Sequence, residues 1–142
     1  MLYIKKADYE KILTHCMEEL PMEACGLLGG VKEGNVQYVK RVYPQSNMDR
    51  DESHFFMNPA EQFAAVRDMR ACGLELLGNF HSHPKSSAKL SEEDMRFAGD
   101  SSLVYLVLSL ADRQNPVLKA FHVEPSKHVT EEPIIIEGDE QV

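Results

Sequence analysis

Long apolar segments are missing from this sequence of 142 residues. The longest strongly apolar run covers residues 103–108, which is far too short to cross a bilayer. Two lysines, Lys5 and Lys6, lie near the N-terminus, but no apolar stretch follows them as it would in a secretory signal. We therefore predict no membrane partner and a cytoplasmic location.

Basic residues are also scarce. The chain has 15 Lys and Arg against 23 Asp and Glu, which gives a formal net charge of -8. Binding to a phosphate backbone depends on clustered Lys and Arg, so we predict no nucleic-acid partner. The length and the hydrophobic fraction of 43% are those of one soluble globular domain.

Cysteine is limited to Cys16, Cys25 and Cys72, and none of them belongs to a C-x-x-C pair. One thiol would stay unpaired even if the other two were bridged, which fits a reducing compartment. Cys25 raises the alternative of a thiol protease, but no Cys/His signature surrounds it. We interpret Cys16 and Cys72 as core or surface thiols.

What the sequence does contain is an alternation of helical and strand patterns. Apolar side chains recur at helical spacing over residues 6–20, and Pro21 ends that helix. Asn58-Pro59-Ala60-Glu61 is a helix-start signal for a second helix that reaches residue 72. We expect this helix to bury three apolar side chains, Phe63, Val66 and Met69.

Residues 91–99 predict a third, short helix that ends in glycine. Strands are predicted over residues 26–31, 36–42, 54–57, 74–80, 103–110, 117–123 and 134–136. The pattern indicates a single α/β domain with a mixed sheet over residues 1–137. Residues 138–142 are predicted to form an acidic C-terminal tail.

The segment Gly78-Asn-Phe-His81-Ser-His83 ends a predicted strand with two histidines that can leave the same face of the sheet. A short loop then leads to Ser91 and to Asp94, in the first turn of the third helix. Two histidines and a carboxylate are three protein ligands, the number that a catalytic zinc uses when it keeps a fourth position for water.

Simpler interpretations exist for each part of this pattern. A His-x-His pair in a strand usually lies at the surface and binds no metal. Ser91 followed by Asp94 is also a capping box that starts a helix. Hydrolysis also needs a general base. Three carboxylates are candidates, and their spacing in the sequence does not distinguish between Glu23, Glu92 and Glu93. Four other histidines are interpreted as surface or packing residues: His15, His54, His122 and His128.

The combined pattern resembles a known family. His81-Ser-His83-Pro, seven intervening residues and Ser91-x-x-Asp94 resemble the JAMM motif of the MPN-domain (MPN+) zinc metallopeptidases, which include prokaryotic JAB-type and deubiquitinase-like members. The segment from Pro21 to Gly26 resembles the upstream glutamate segment of that family. The resemblance implies metal ligands at His81, His83 and Asp94, a general base at Glu23, and an oxyanion-supporting serine at Ser91.

The resemblance also implies the fold and the activity. The MPN fold is α+β, with a mixed, mainly antiparallel sheet flanked by helices and a cytidine-deaminase-like architecture. Deaminase activity itself is disfavoured, because the combined signature of H-x-E with P-C-x-x-C is missing. One Zn2+ per chain is implied, with hydrolysis of a peptide or isopeptide bond at the C-terminal tail of a ubiquitin-like protein.

Short loops at residues 43–53 and 111–116 favour a sulfur-carrier protein as this substrate, because they leave little room for insertions that grip ubiquitin. Two alternatives stay open: a zinc hydrolase of small peptides or amides, and a non-catalytic MPN scaffold in a larger assembly. A homodimer is compatible with the sequence, which does not determine the oligomeric state.

Overall fold

The computed structural model of the chain describes residues 1–138, so most of the predicted acidic tail lies outside the described residues. Three helices are present: α1 (Lys6–Glu19), α2 (Pro59–Ala71) and α3 (Glu92–Phe97). The strands are β1 (Leu2–Lys5), β2 (Cys25–Glu33), β3 (Val36–Gln45), β4 (Glu75–His83), β5 (Val104–Ser109), β6 (Val117–Val123), β7 (Val129–Glu132) and β8 (Ile134–Glu137).

All described strands join one sheet in the order β7-β6-β5-β4-β2-β3-β1-β8. The pairs β2–β3, β2–β4, β5–β6 and β6–β7 are antiparallel, and the pairs β1–β3, β1–β8 and β4–β5 are parallel. The predicted α+β fold with a mixed sheet is confirmed. Strand β5 is buried at every residue, as expected of a central strand covered on both faces.

Helices α1 and α2 pack on opposite faces of the sheet. Ile12 and Cys16 of α1 join the larger apolar cluster, which also contains Phe80 and Leu106. Ala65 and Met69 of α2 join a smaller cluster with Leu27 of β2 and with Met57. A bulge at Leu77 interrupts the alternation of β4, and from Gly78 to His83 successive side chains again face opposite sides of the sheet.

The sheet curls until its two ends almost meet. Strands β7 and β8 lie at opposite ends of the strand order, yet only Pro133 separates them in the chain. Proline has no N–H to donate to a ladder, so it is a suitable point for the chain to change its neighbouring strand. The Pro133 carbonyl accepts a hydrogen bond from the amide of Leu2 at 2.9 Å. Strands β1 and β7 were not predicted from the sequence.

Two details of the prediction were wrong. Residues 54–57 do not form a strand; they make only an isolated bridge between Met57 and Asn47, because a loop side chain takes one of the backbone hydrogen bonds there. Phe63 is not part of the core, since 65% of its surface is exposed and α2 instead buries Ala65.

Within residues 1–138, the helices lack the combination of length and apolar character that spanning a membrane requires.

Candidate metal centre and active-site cleft

Strand β4 presents its histidines on one face. Phe80 and Ser82 point towards α1, whereas Asn79, His81 and His83 point towards the α2 side. The strand is held on both sides, because His81 pairs with Cys25 of β2 and with Val107 of β5. His81 is therefore fixed by two ladders and His83 by its pairing with Ser109 of β5, and both are almost completely buried, at 2% and 6% exposure.

His81, His83 and Asp94 bring three possible ligand atoms together. The His81 Nε2, His83 Nε2 and Asp94 Oδ2 atoms are mutually 3.1 Å apart. A tetrahedral site with bonds of about 2.0–2.1 Å separates its ligand atoms by about 3.3 Å, so the triangle has the size that such an ion needs. Among residues 1–138, no other group of three such side chains is as close together.

The hydrogen bonds around His83 also fit a metal ligand. Its Nδ1 lies 2.8 Å from the carbonyl oxygen of Ser87, which can only accept, so Nδ1 carries a proton and, in the neutral imidazole, Nε2 has the lone pair that a metal would use. The ring of His81 stacks on Phe55 at a centroid distance of 4.9 Å, and its buried Nδ1 has no hydrogen-bond partner in the described part of the chain. Ring packing, and not a hydrogen bond at Nδ1, therefore supports His81 on the side away from Asp94.

Asp94 is held by the start of α3. The amide of Ser91 donates to Asp94 Oδ2 at 2.9 Å, and the amide of Asp94 donates to Ser91 Oγ at 3.0 Å, which completes a capping box. Burial raises the pKa of Asp94, but the hydrogen bonds with His81 and His83 outweigh it and hold this pKa well below its ordinary range. The capping box therefore starts the helix and also aims a charged carboxylate at the histidines.

Glu23 lies between α1 and β2 and lines the same cleft, with only 4% of its surface exposed. Burial raises the pKa of Glu23 to about 8; the charge of His83 opposes this, and the carboxylates of Asp94, Glu93 and Asp51 add to it. Glu23 does not belong to the compact ligand group formed by the two histidines and Asp94. It is a buried carboxyl beside the three ligand atoms.

The other two candidate carboxylates have different surroundings. Glu93 lines the cleft but lies 2.7 Å from Nδ1 of His54, whose pKa it raises by this contact. Glu92 is exposed in the first turn of α3 and does not line the cleft. Of the three, only Glu23 combines burial with a position in the cleft.

The cleft has a volume of about 520 Å3 and extends from His81 across the face of β4 and β5. Its lining also includes Asn79, Leu90, Tyr105 and two aromatic side chains, Phe56 and Phe97. Phe56 and Phe97 are 54% and 78% exposed, which is unusual for large apolar side chains. They border an opening next to the ligand triangle.

Several residues of this region were missed in the sequence. Asn47, Phe55 and Phe56 belong to a segment that carries no helical periodicity, and Ser87 lies in a short polar loop. Phe55 and Asn47 act through contacts with distant segments, the stacking of Phe55 on His81 and the hydrogen bond from Asn47 to Glu23. The one feature of the sequence that could have indicated these residues is a polar loop with aromatic residues directly before α2, the helix capped by Asn58.

A family model described as prokaryotic homologs of the JAB domain matches residues 5–123. The CysO-cysteine peptidase of Mycobacterium tuberculosis is 26% identical over 134 residues, which cover 94% of this chain and 90% of that protein. The probable TtuB-protein conjugate cleaving protease of Thermus thermophilus is 31% identical over 99 residues, covering 69% and 64%.

A solution structure of a protein from Desulfitobacterium hafniense has a similar fold. Its TM-score is 0.90 at 48% identity, and the match covers 98% of this chain and 94% of that one. The sheet order and the helices that position the cleft are therefore features of a fold that has been determined in a related protein.

Proposed function

This chain belongs to the family of prokaryotic homologs of the JAB domain, and we propose that it is a zinc-dependent peptidase that cleaves at the C-terminal tail of a ubiquitin-like, sulfur-carrier type of protein. The observation that carries the proposal is the triangle of His81, His83 and Asp94 ligand atoms, mutually 3.1 Å apart at one end of an open cleft. The peptidase relatives support a hydrolase.

The two imidazoles and the carboxylate would hold one Zn2+ per chain. When bound, such an ion activates water and polarises a carbonyl group. The acceptor at Ser87, 2.8 Å from Nδ1, selects the tautomer of His83 that ligation needs, with the proton on Nδ1 and Nε2 facing the site. The buried carboxylate of Asp94 supplies negative charge opposite a cation.

Glu23 would act as the general base. A base is most effective when its pKa is near the working pH, and burial raises the pKa of Glu23 to about 8. Its carboxyl would take the proton from the attacking water and return it to the leaving amine. Glu93 is less suited to this role, because its carboxylate is already paired with His54.

Ser91 would stabilise the developing oxyanion. Its Oγ accepts the Asp94 amide hydrogen at 3.0 Å, so the hydroxyl hydrogen remains available to a substrate oxygen. Ser91 is exposed next to the ligand triangle, where such an oxygen can approach. A preorganised donor of this kind typically contributes about 10²–10³-fold in kcat.

The substrate class is supported by the relatives and by the cleft. The relatives' names describe peptidases for CysO-cysteine and for TtuB-protein conjugates. The exposed rings of Phe56 and Phe97 offer apolar contact for an extended polypeptide tail that leads to the ligand triangle. Cytoplasmic location stays a prediction, and the three free thiols are compatible with it.

Two other candidates stay possible outcomes of the test. A scaffold without activity would not need a complete catalytic set. In this chain the three ligands, the base Glu23 and the serine Ser91 are all present. A hydrolase of small amides would not need the exposed aromatic border of the cleft. A homodimer stays a prediction without a structural test.

The experiment compares two substrates and two variants after loading with zinc. A ubiquitin-like protein extended beyond a terminal Gly-Gly is expected to be cleaved far faster than a short peptide of the same sequence. Glu23→Gln is expected to retain zinc but to lose cleavage, with Glu92→Gln as the matched control that stays active. Equal rates on both substrates would favour the small-amide hydrolase, and retained zinc without cleavage of either substrate would favour the scaffold.

A further inference from the structure

The side chain of Asn47 is buried in the loop between β3 and α2, with 5% of its surface exposed. Its Nδ2 donates to the carbonyl oxygens of Glu23 at 2.9 Å and of His54 at 2.8 Å. Its Oδ1 accepts from the amides of Asp49 at 3.0 Å and of Phe56 at 3.1 Å. A carboxamide can make four such bonds, two as donor and two as acceptor, and Asn47 uses all of them.

The same loop also holds the other polar group of the Glu23 main chain. The amide of Glu23 donates to the carbonyl of Asp51 at 2.8 Å. Glu23 precedes β2, which begins at Cys25, so no strand ladder holds it directly. Both backbone polar groups of Glu23 are therefore bonded to residues 47–51, and within residues 1–138 Asn47 is the hydrogen-bond partner of the carbonyl.

This loop contacts the ligand triangle as well. Phe55, which lies in the turn that Asn47 closes, stacks on the ring of His81. His54, whose carbonyl Asn47 binds, pairs with Glu93 of α3. Asn47 thus connects the segment that carries the candidate base to the loop that covers one candidate metal ligand.

We propose that Asn47 is a positioning residue for Glu23: its amide fixes the Glu23 main chain and thereby the place of the Glu23 carboxyl relative to His81, His83 and Asp94. This inference rests on the proposed function of Glu23 as the general base. It requires an amide at position 47, because an aspartate lacks both donors and would place a second buried negative charge beside Glu23.

The test is the substitution Asn47→Asp, with Asn58→Asp as the matched control. Asn58 caps α2 through its side-chain oxygen, a role that aspartate fills equally well. In the zinc-loaded enzyme, Asn47→Asp is expected to lower kcat by roughly 10- to 100-fold, since a displacement of about 1 Å can have an effect of that size. KM and zinc content are expected to stay within about twofold of wild type, because a positioning residue acts on the chemical step. Asn58→Asp should match wild type.

A double-mutant cycle tests whether Asn47 acts through Glu23. On top of Glu23→Gln, the substitution Asn47→Asp is expected to cause little further loss, whereas independent effects would multiply. Unchanged kcat in Asn47→Asp would overturn the inference. Loss of zinc in parallel with kcat would also overturn it, because the role would then be structural.

Amide hydrogen exchange gives a readout without turnover. In Asn47→Asp, exchange is expected to accelerate at the amides of Glu23, Asp49 and Phe56 and to stay unchanged in α1. If the aspartate variant does not fold, Asn47→Ala removes the same bonds without adding a charge. Absence of cleavage by the wild type would refute the proposed function, while the exchange data would still decide whether Asn47 holds Glu23.

Discussion

Ser82 and Ala24 exchange two hydrogen bonds at the centre of the site. The Ala24 amide donates to Ser82 Oγ at 2.8 Å, and the Ser82 amide donates to the Ala24 carbonyl at 3.0 Å. Ser82 is fully buried between the two histidines and points to the opposite face of β4. The residue between the candidate ligands therefore anchors the segment that carries Glu23.

Replacing Ser82 by alanine should destabilise the protein. The buried Ala24 amide would lose its acceptor, which costs roughly 1–3 kcal/mol. Urea denaturation of Ser82→Ala should show this loss as a lower midpoint with an unchanged slope. Ser102→Ala is the control, since the Ser102 hydroxyl donates to Asp100 within an exposed turn and its loss should have a small effect on stability. Equal stabilities of the two variants would contradict the role of Ser82.

Zinc should stabilise the chain through the histidine pair. A ligand present at about 100 times its Kd stabilises the native state by roughly 2.7 kcal/mol. We expect zinc to raise the Tm of the wild type by several degrees and a chelator to reverse the shift. His81→Ala should abolish the shift and the bound metal. His128→Ala should leave both unchanged, because His128 is exposed and does not belong to the ligand group. Metal retained by His81→Ala would refute the site.

Removal of the Phe97 side chain should weaken substrate binding without affecting stability. The ring is 78% exposed, so Phe97→Ala should change the free energy of unfolding by less than about 0.5 kcal/mol. We expect KM for a protein conjugate to rise several-fold, with kcat and the rate on a short peptide nearly unchanged. Phe63→Ala is the matched control, because Phe63 is similarly exposed but does not line the cleft. An unchanged KM would argue against binding at this border.

The thiols should be dispensable for activity. Burial raises the pKa of both Cys16 and Cys25 to about 12, which keeps them protonated and unreactive near neutral pH. Cys72 is exposed. A thiol reagent should therefore modify one cysteine in the native protein and all three after denaturation, and the labelled native enzyme should stay active. Inactivation that follows modification of Cys25 would revive the thiol-protease alternative.

Local patterns were sufficient for the parts of the fold that neighbouring residues determine. The spans of α1 and α2 follow from apolar spacing, from Pro21 and from the cap at Asn58, and the structure confirms them within one or two residues. The prediction for Phe63 was wrong because periodicity shows only which side chains share a helix face. It does not show how far the sheet extends beneath that face, and so which of these side chains the sheet covers.

The local half of the candidate site could be predicted from the order of the residues. His81 and His83 lie two residues apart on one face of a strand, and Asp94 lies three residues after its cap, so each geometry is set by a single element. The family resemblance added Glu23 to this set. These assignments need no knowledge of how distant segments pack.

Which distant groups meet at these residues depends on tertiary packing. The structure separates buried Glu23 from the paired Glu93, places Asn47 against the Glu23 main chain, and brings β7 and β8, the two ends of the sheet, close to each other. Such contacts join segments far apart in the chain. Their burial and hydrogen bonding depend on the packing of the whole domain and leave no periodic trace in the sequence.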